Sequence, residues 1–354
     1  YSIFKWALNM TNKQAEIIDT QKLYDNALIS IKLGIEDFQL SSRTHQDGGN
    51  PERTLSSIRN LFAGMLLLFK YRITKAVTDP NDVISLIFSP SKTVLPSSDG
   101  KGGVKWTPQY FHKKNTIGVE EIKQRLDGFG IKVDWDTVKK LQECRNYLEH
   151  FHPKNTHVEL AGFVADIFPV LSDFLTDELN EAPMDVLGEA WIIMLNHEKF
   201  FKQKVNKCKE SWIRAEIPNG MKYYLEKCKC DMCGSKLLQA SNEDLDAGYT
   251  LSKNKESFKY RCIECSYSDC IDPLLLEALR NENDFDIRNG DEPQIEECFQ
   301  CGHETFLINK QECVWCGNTL DYKQCKVCND FLMQDDQDND GFCGYHYRMV
   351  TKND

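Results

Sequence analysis

The sequence predicts an all-α helical bundle over residues 11–217, followed by a set of small, mostly β modules from residue 221 onward. Two observations predict this division. Apolar residues recur at helical spacing through most of the first part. The second part has short apolar stretches, many turns and 13 of the 15 cysteines, so its thin core needs another source of stability. The turn-forming segment Pro218-Asn219-Gly220 marks the predicted boundary.

The first part begins with two long amphipathic segments, 11–40 and 51–73, separated by a polar turn. Pro51 stands where a helix can begin, so we expect an antiparallel helix pair. The segment 78–117 is rich in Pro, Gly and Ser, and an exposed loop is expected at 97–103. Further helices are predicted at 83–88, 119–126, 134–151, 158–179 and 184–217.

The formal net charge of −11 is unevenly distributed along the chain. Residues 1–220 contain 28 Lys and Arg against 28 Asp and Glu, whereas the remaining residues contain 15 against 26. An acidic segment does not suit non-specific binding to nucleic acid, which depends on neutralising phosphates. Any contact with RNA or DNA is therefore expected at local basic patches.

The sequence shows no sign of secretion or membrane insertion. The first residues lack a basic region followed by an apolar run and a cleavage site, and Met10 resembles a natural start, with residues 1–9 upstream of it. The longest apolar run, 61–69, is about half as long as a bilayer span requires. We expect a cytoplasmic protein with no membrane partner, in which clustered cysteines bind metal more often than they form disulfides.

One helix, predicted at 134–151, has a dense polar face. On a helical wheel Arg145, Asn146, Glu149 and His150 fall within an arc of roughly 140°. Pro153 ends the helix just after His150, which leaves the imidazole near a helix terminus. The opposite, apolar face is predicted to comprise Leu141, Cys144, Tyr147, Leu148 and Phe151.

The segment from Arg145 to His150, with Asn146 directly after the Arg, resembles the Arg-X4-6-His motif of HEPN domains (higher eukaryotes and prokaryotes nucleotide-binding). The resemblance covers residues 11–217 and implies a helical bundle that forms a homodimer with two motifs facing each other. It also implies a metal-independent endoribonuclease of a kind common in toxins and phage defence. In one subgroup a Tyr two residues after the His is adenylylated, but His152 occupies that position here.

The residues themselves suit RNA cleavage without metal. Such cleavage needs a group that accepts the 2′-hydroxyl proton, a group that protonates the leaving oxygen and a fixed cation on the phosphate. Arg145 can clamp the phosphate, Asn146 can orient the reacting groups, and His150 can carry one proton. Because one histidine supplies one proton role, we expect a second copy of His150 from a partner chain. Two alternatives stay open: a non-catalytic HEPN scaffold or binding module, and an ordinary solvated helix face.

Six close pairs of candidate metal ligands follow residue 221, and each pair has two intervening residues. This spacing lets one tight turn present both ligands to a tetrahedral ion. The pairs are Cys230/Cys233, Cys262/Cys265, Cys298/Cys301, Cys313/Cys316, Cys325/Cys328 and Cys343/His346. Taken in order they predict three structural zinc sites, about three ions per chain.

The predicted zinc ribbons span residues 221–285, 293–322 and 323–354. Interleaving of the last four pairs is the structural alternative, and disulfides are the chemical one. Cys144 is expected in the core, whereas Cys228 and Cys270 flank the first site and could substitute in it. The acidity of this part favours a protein regulator or trigger as its partner over a general RNA-binding surface.

Overall fold

The structure is a computed structural model, and it describes residues 18–43, 45–79, 82–101, 103–150, 157–284 and 293–351. The chain divides into two compact units, residues 1–200 and 201–354. This division falls earlier in the chain than the boundary predicted at 218–220. Trp212, Ala215 and Ile217 explain the difference, because all three belong to the hydrophobic core of the second unit.

The first unit is organised around an antiparallel helix pair, as predicted. Helix α1 spans Thr20–Ser42 and helix α2 spans Arg53–Thr74. The Asp19 carboxylate caps α1 by accepting a hydrogen bond from the backbone N–H of Lys22, and this bond lowers the pKa of Asp19. The predicted start of the first helix, residues 11–17, lies outside the described residues.

Two glycines let α1 and α2 approach closely. A Cβ on Gly34 would lie 2.6 Å from Leu61 Cγ, and a Cβ on Gly64 would lie 2.9 Å from both Ala27 O and Ile31 N. The buried Ser57 hydroxyl donates to Gly34 O at 2.6 Å across the same seam. The contact therefore depends on bare backbone at these two positions.

We expect Gly64→Ala to destabilise the first unit by about 1–3 kcal/mol, because the new methyl meets backbone atoms that cannot move aside. Gly162→Ala is the matched control: Gly162 lies in a helix, and a Cβ there meets no atom within 4 Å. That variant should gain about 0.5–1 kcal/mol from reduced backbone entropy. Urea unfolding followed by helical circular dichroism measures both changes, and equal stability of the two variants would contradict the close packing.

The other helices of the first unit pack around this pair. The predicted long helix at 184–217 is wrong, because the chain breaks it twice: Gly188 adopts a φ of 58°, and a further turn follows at Asn196. A π-helical turn at Phe174–Glu178 extends the helix predicted at 158–179. The helices are α3 (Val83–Ile87), α4 (Val119–Gly128), α5 (Trp135–His150), α6 (His157–Asp173), α7 (Pro183–Leu187) and α8 (Glu189–Leu195). The next helix, α9 (Glu198–Arg214), belongs to the second unit from Phe201 onward.

A two-stranded β-ribbon interrupts the helices, although the sequence analysis predicted no strand there. Pro96 and Pro108 argue against a central strand, but both edges of a two-strand ribbon are free, so proline is tolerated. The expected loop at 97–103 is the hairpin tip, where Asp99 Oδ1 accepts from the backbone N–H of Lys101 and Gly103; these bonds lower the pKa of Asp99. The strands are β1 (Phe88–Pro90), β2 (Val94–Ser98), β3 (Val104–Pro108) and β4 (Phe111–Thr116).

The second unit contains small antiparallel sheets, as predicted, and also short helices, which the prediction of mostly β modules did not include. Strands β5 (Leu238–Ala240), β6 (Lys259–Cys262) and β7 (Ser268–Cys270) form one sheet, and β8 (Ile295–Glu296), β9 (Phe306–Leu307) and β10 (Glu312–Cys313) form another. The helices are α10 (Lys222–Leu225), α11 (Asn242–Asp246), α12 (Asp272–Glu282) and α13 (Gly344–Thr351).

The end of α9 belongs to the core of the second unit. The buried Trp212 indole donates to Leu238 O at 2.8 Å, and Ser211 Oγ accepts from the backbone N–H of Ala240. These bonds fix the helix against the first strand of the sheet. Among the described helices, none combines the length and the apolar character needed to cross a bilayer.

Candidate metal centres and candidate catalytic helix

The helix that carries the predicted polar face is α5. Asp134 caps its start by accepting from the side-chain hydroxyl and the backbone N–H of Thr137, and these bonds lower the pKa of Asp134. Leu141 and Cys144 lie on the buried side, as predicted, and burial raises the pKa of the Cys144 thiol. Tyr147, predicted on that side, is 42% exposed, which corrects the expected width of the apolar face.

The Arg145 guanidinium is held by three neighbours. Its Nη2 lies 2.6 Å from Glu149 Oε1, one helical turn ahead, and its Nη1 donates to Asn146 Oδ1 at 3.1 Å. The guanidinium also lies over the Phe62 ring of α2, 5.9 Å from the ring centroid. About a third of each side chain of the Arg145–Glu149 pair is exposed, so a ligand can reach the pair.

His150 is the last residue of α5, on the same helix as Arg145 and Asn146. The structure therefore places the three predicted catalytic residues on one helical segment. The His150 side chain is not among those that the structure describes, and residues 151–156, including His152 and Pro153, lie outside the described residues.

The second unit brings the predicted metal ligands together in three groups of four. Within each group all ligand atoms lie within 4.8 Å of one another. The sequential arrangement is therefore the one observed, rather than the interleaved alternative. The groups are Cys230, Cys233, Cys262 and Cys265; Cys298, Cys301, Cys313 and Cys316; and Cys325, Cys328, Cys343 and His346.

Distances within the groups suit a tetrahedral ion. In the first group the Sγ atoms of Cys230 and Cys265 are 3.7 Å apart. In the third group Cys328 Sγ and Cys343 Sγ are 3.9 Å apart. A tetrahedral ion with metal–sulfur bonds of about 2.3 Å separates its sulfur ligands by about 3.8 Å. All 15 cysteines are free thiols, so the disulfide alternative has no counterpart in the structure.

Five of the six ligand pairs share one backbone turn. The residue after the second cysteine has a positive φ, and its N–H donates to the carbonyl oxygen of the first cysteine, which closes the turn. Glycine fills this position in three of the five turns. Ser266 (φ 63°) and Asn329 (φ 63°) adopt the same conformation, so a small polar residue after a cysteine pair can mark this turn as glycine does. The five residues are Gly234, Ser266, Gly302, Gly317 and Asn329.

The first two groups share one folded core. The buried His303 imidazole, two residues after a ligand of the second group, forms a 2.8 Å hydrogen bond with Asp272 at the start of α12. Lys255 Nζ donates to the carbonyls of Cys301 and Gly302 at 3.2 Å. The Trp315 ring packs on His303 with a centroid distance of 4.4 Å. Loss of either group therefore removes contacts from the other.

Side-chain amides join the second group to the third. Gln311 Nε2 donates to the carbonyls of Lys323 and Leu332 at 2.9 Å. Gln334 Nε2 donates to Glu297 O at 2.7 Å, and its Oε1 accepts from the backbone N–H of Phe299. No spacing rule marks these glutamines, so the sequence analysis did not identify them.

Cysteines outside the three groups are not ligands in the described geometry. The buried Cys228 thiol lies 3.3 Å from Tyr224 O, and burial, followed by the charges of Glu277 and Asp231, raises its pKa to about 12. Burial also raises the pKa of Cys208 to about 12. Neither thiol is therefore a ready nucleophile.

No family model, curated protein or solved structure matches this chain.

Proposed function

We propose that the chain is a HEPN-type, metal-independent endoribonuclease that acts as a homodimer in the cytoplasm. The observation that carries the proposal is the arrangement of α5, where Arg145 is held by Asn146 and Glu149 on the helix that ends at His150. A fixed, partly exposed guanidinium on a helix that ends at a histidine would combine phosphate recognition with a side-chain type whose ordinary pKa lies near neutral pH.

In the proposed reaction the 2′-hydroxyl of RNA attacks the adjacent phosphorus. One histidine accepts the hydroxyl proton, the P–O5′ bond breaks, and a second histidine protonates the departing 5′ oxygen. Arg145 neutralises the charge that grows on the phosphate. Because each chain provides one His150, the two proton roles require two chains, and this requirement is the reason for proposing a homodimer.

The metal in the second unit is proposed to be zinc, about three ions per chain. Thiolate and imidazole ligands with sulfur–sulfur separations of 3.6–3.9 Å support this assignment. Four protein ligands complete each group, so no coordination position stays open for chemistry, and the ions act as structural centres.

We propose that the second unit chooses the target or receives a trigger, as in a toxin or phage-defence nuclease. Its acidity and the exposed apolar side chains of its third module favour a protein as the regulator. Phe331 is 70% exposed and Tyr345 is 68% exposed. The same exposure favours the second candidate function, a non-catalytic binding module.

The direct test is incubation of the purified full-length chain with RNA in buffer without divalent ions. We expect internal cleavage that leaves 2′,3′-cyclic phosphate and 5′-hydroxyl ends, and we expect a dimer by sedimentation. Zinc content measured before and after the reaction shows that the structural centres are intact. Intact RNA after incubation with zinc-loaded protein would favour the binding module.

Glu149→Gln should improve RNA binding, because the carboxylate that now pairs with Arg145 competes with the substrate phosphate. A partly exposed pair of this kind contributes about 0.5–1 kcal/mol, so we expect KM to fall about two- to fivefold while kcat changes little. Glu143→Gln, an exposed position on the same helix, is the matched control and should leave KM unchanged. An unchanged KM for Glu149→Gln would argue against phosphate binding by Arg145.

A further inference from the structure

The β-ribbon of the first unit projects an arm, defined here as residues 91–101 and 103–110. Backbone hydrogen bonds from Ser91 N to Tyr110 O and from Gln109 N to Thr93 O join the β1–β4 pair to the β2–β3 pair. The ribbon is therefore continuous from its root to its tip. At the root, Lys70 Nζ of α2 donates to Thr116 Oγ1 at 2.9 Å, which anchors the arm to the helical pair.

One face of the arm is apolar and uncovered. The strand register places Pro96 opposite Trp106 and Ser98 opposite Val104, so these residues share a face. Trp106 is 66% exposed and Val104 is 67% exposed. No aromatic ring of the described residues stacks on the Trp106 indole.

The second face of the arm carries Leu95 opposite Thr107 and Ser97 opposite Lys105; Leu95 and Lys105 are exposed, and the other two are half-buried. A two-stranded ribbon with one face uncovered and the other only partly covered gains little stability from its own contacts. An exposed tryptophan in such a ribbon contributes nothing to a core. The arrangement is typical of a surface that binds something else.

The charge of the arm indicates which kind of ligand it would bind. Lys92, Lys101 and Lys105 are exposed, and none forms an ion pair with any residue that the structure describes. Asp99 is the sole acidic residue of the arm, and its carboxylate closes the hairpin tip. A second copy of the arm would bring like charges together, whereas an anionic ligand would be attracted.

We propose that this arm binds single-stranded RNA, with Trp106 stacking on a base and the three lysines neutralising phosphates. The choice of RNA as the ligand rests on the proposed function. Unpaired bases expose the flat faces that an indole can stack on, whereas the bases of a duplex are already stacked. The combination of an exposed aromatic ring with unpaired cations is the chemistry that single strands require.

The arm is also well placed to serve the proposed reaction. Its root is anchored to Lys70 of α2, and Arg145 lies over Phe62 of the same helix. Eight residues of α-helix separate these two points, which corresponds to about 12 Å along the axis. The root of the arm and the Arg145 region are therefore about two helical turns apart along α2.

The test measures binding in full-length His150→Ala protein, so that cleavage does not interfere. Fluorescence anisotropy with labelled single-stranded RNA, single-stranded DNA of the same sequence and duplex RNA gives three affinities. We expect Lys105→Ala with Trp106→Ala to weaken single-stranded RNA binding at least about tenfold, from the loss of one stacked base and one phosphate contact. Phe129→Ala with Lys132→Ala, an exposed aromatic–lysine pair elsewhere in the first unit, should keep the affinity unchanged.

Unchanged affinity in the arm variant would overturn the inference, as would tighter binding of the duplex or of DNA. A change of sedimentation coefficient with RNA affinity intact would identify the arm as a protein contact and would also overturn the inference.

The outcome of this test can be distinguished from that of the test of the proposed function. Arm-dependent RNA binding by a wild-type chain that leaves RNA intact would contradict the nuclease alone, and cleavage with arm-independent binding would contradict the arm alone.

Discussion

Replacing Cys298 and Cys313 with serine is expected to remove one metal ion per chain and to unfold much of the second unit. Both thiols are fully buried members of the second group of candidate ligands and belong to the hydrophobic core shared with the first group. Structural zinc contributes about 10–16 kcal/mol of apparent binding free energy in small modules, as much as the whole stability of a typical domain. The second group has no comparable replacement for that energy.

The loss of structure should extend to the first module, because that module depends on contacts with the second group. His303 and the carbonyl of Cys301 provide the contacts to Asp272 and Lys255 of the first module. Hydrogen exchange reports the loss: the amides of Ala240 and Leu251, bonded to Ser211 Oγ and Ala215 O, should lose their protection.

Two matched variants separate metal loss from cysteine loss. Cys328→Ser with Cys343→Ser removes two less buried ligands of the third group, so it should also cost one ion but leave the protection of Ala240 intact. Cys270→Ser replaces a cysteine outside the three groups and should retain all three ions. Elemental analysis that finds three ions in the Cys298/Cys313 variant would refute the second centre.

His150→Ala should lower RNA cleavage by about two to four orders of magnitude, the usual contribution of general acid–base catalysis. Arg145→Ala should lower it comparably, because the developing phosphate charge loses its cation. Lys139→Ala, which removes an exposed cation from the same helix, should leave the rate unchanged. Rates are measured on one labelled RNA, with circular dichroism to show that each variant is folded.

A mixing experiment tests the composite site. If each reaction uses His150 from two chains, then re-formed dimers containing a ninefold excess of His150→Ala chains should reduce activity per wild-type chain about tenfold. Undiminished activity would show that one chain suffices. Rates for His150→Ala equal to the wild type would remove the catalytic proposal altogether.

The metal groups could be predicted from the sequence because their geometry is local. Two cysteines separated by two residues meet in one turn, whatever the rest of the chain does. Because the pairs follow one another along the chain, only a few ways of grouping them into sites of four ligands had to be considered. The pairing of α1 with α2 was equally accessible, since apolar spacing and a short polar turn determine it. The close approach at Gly34 and Gly64 was not accessible in this way, because helical spacing does not show which glycines face a neighbouring backbone.

Other features depend on contacts that spacing does not encode. The ribbon at 88–116 buries little, so its strands lack the apolar alternation that identifies a sheet. The break at Gly188 requires a left-handed backbone conformation within an otherwise good helical pattern. His303 and Asp272 are 31 residues apart in the chain, and only the folded core brings them together.

The position of Trp212 determines where the shortest stable fragment of the second unit can begin. A piece that starts at residue 221 would leave Leu238 O without its indole partner and Ala240 N without Ser211 Oγ, and it would open the core to water. The first two modules are therefore not independent domains that can be transferred separately. Any transfer of them to another protein has to carry the last turns of α9 along with both sets of ligands.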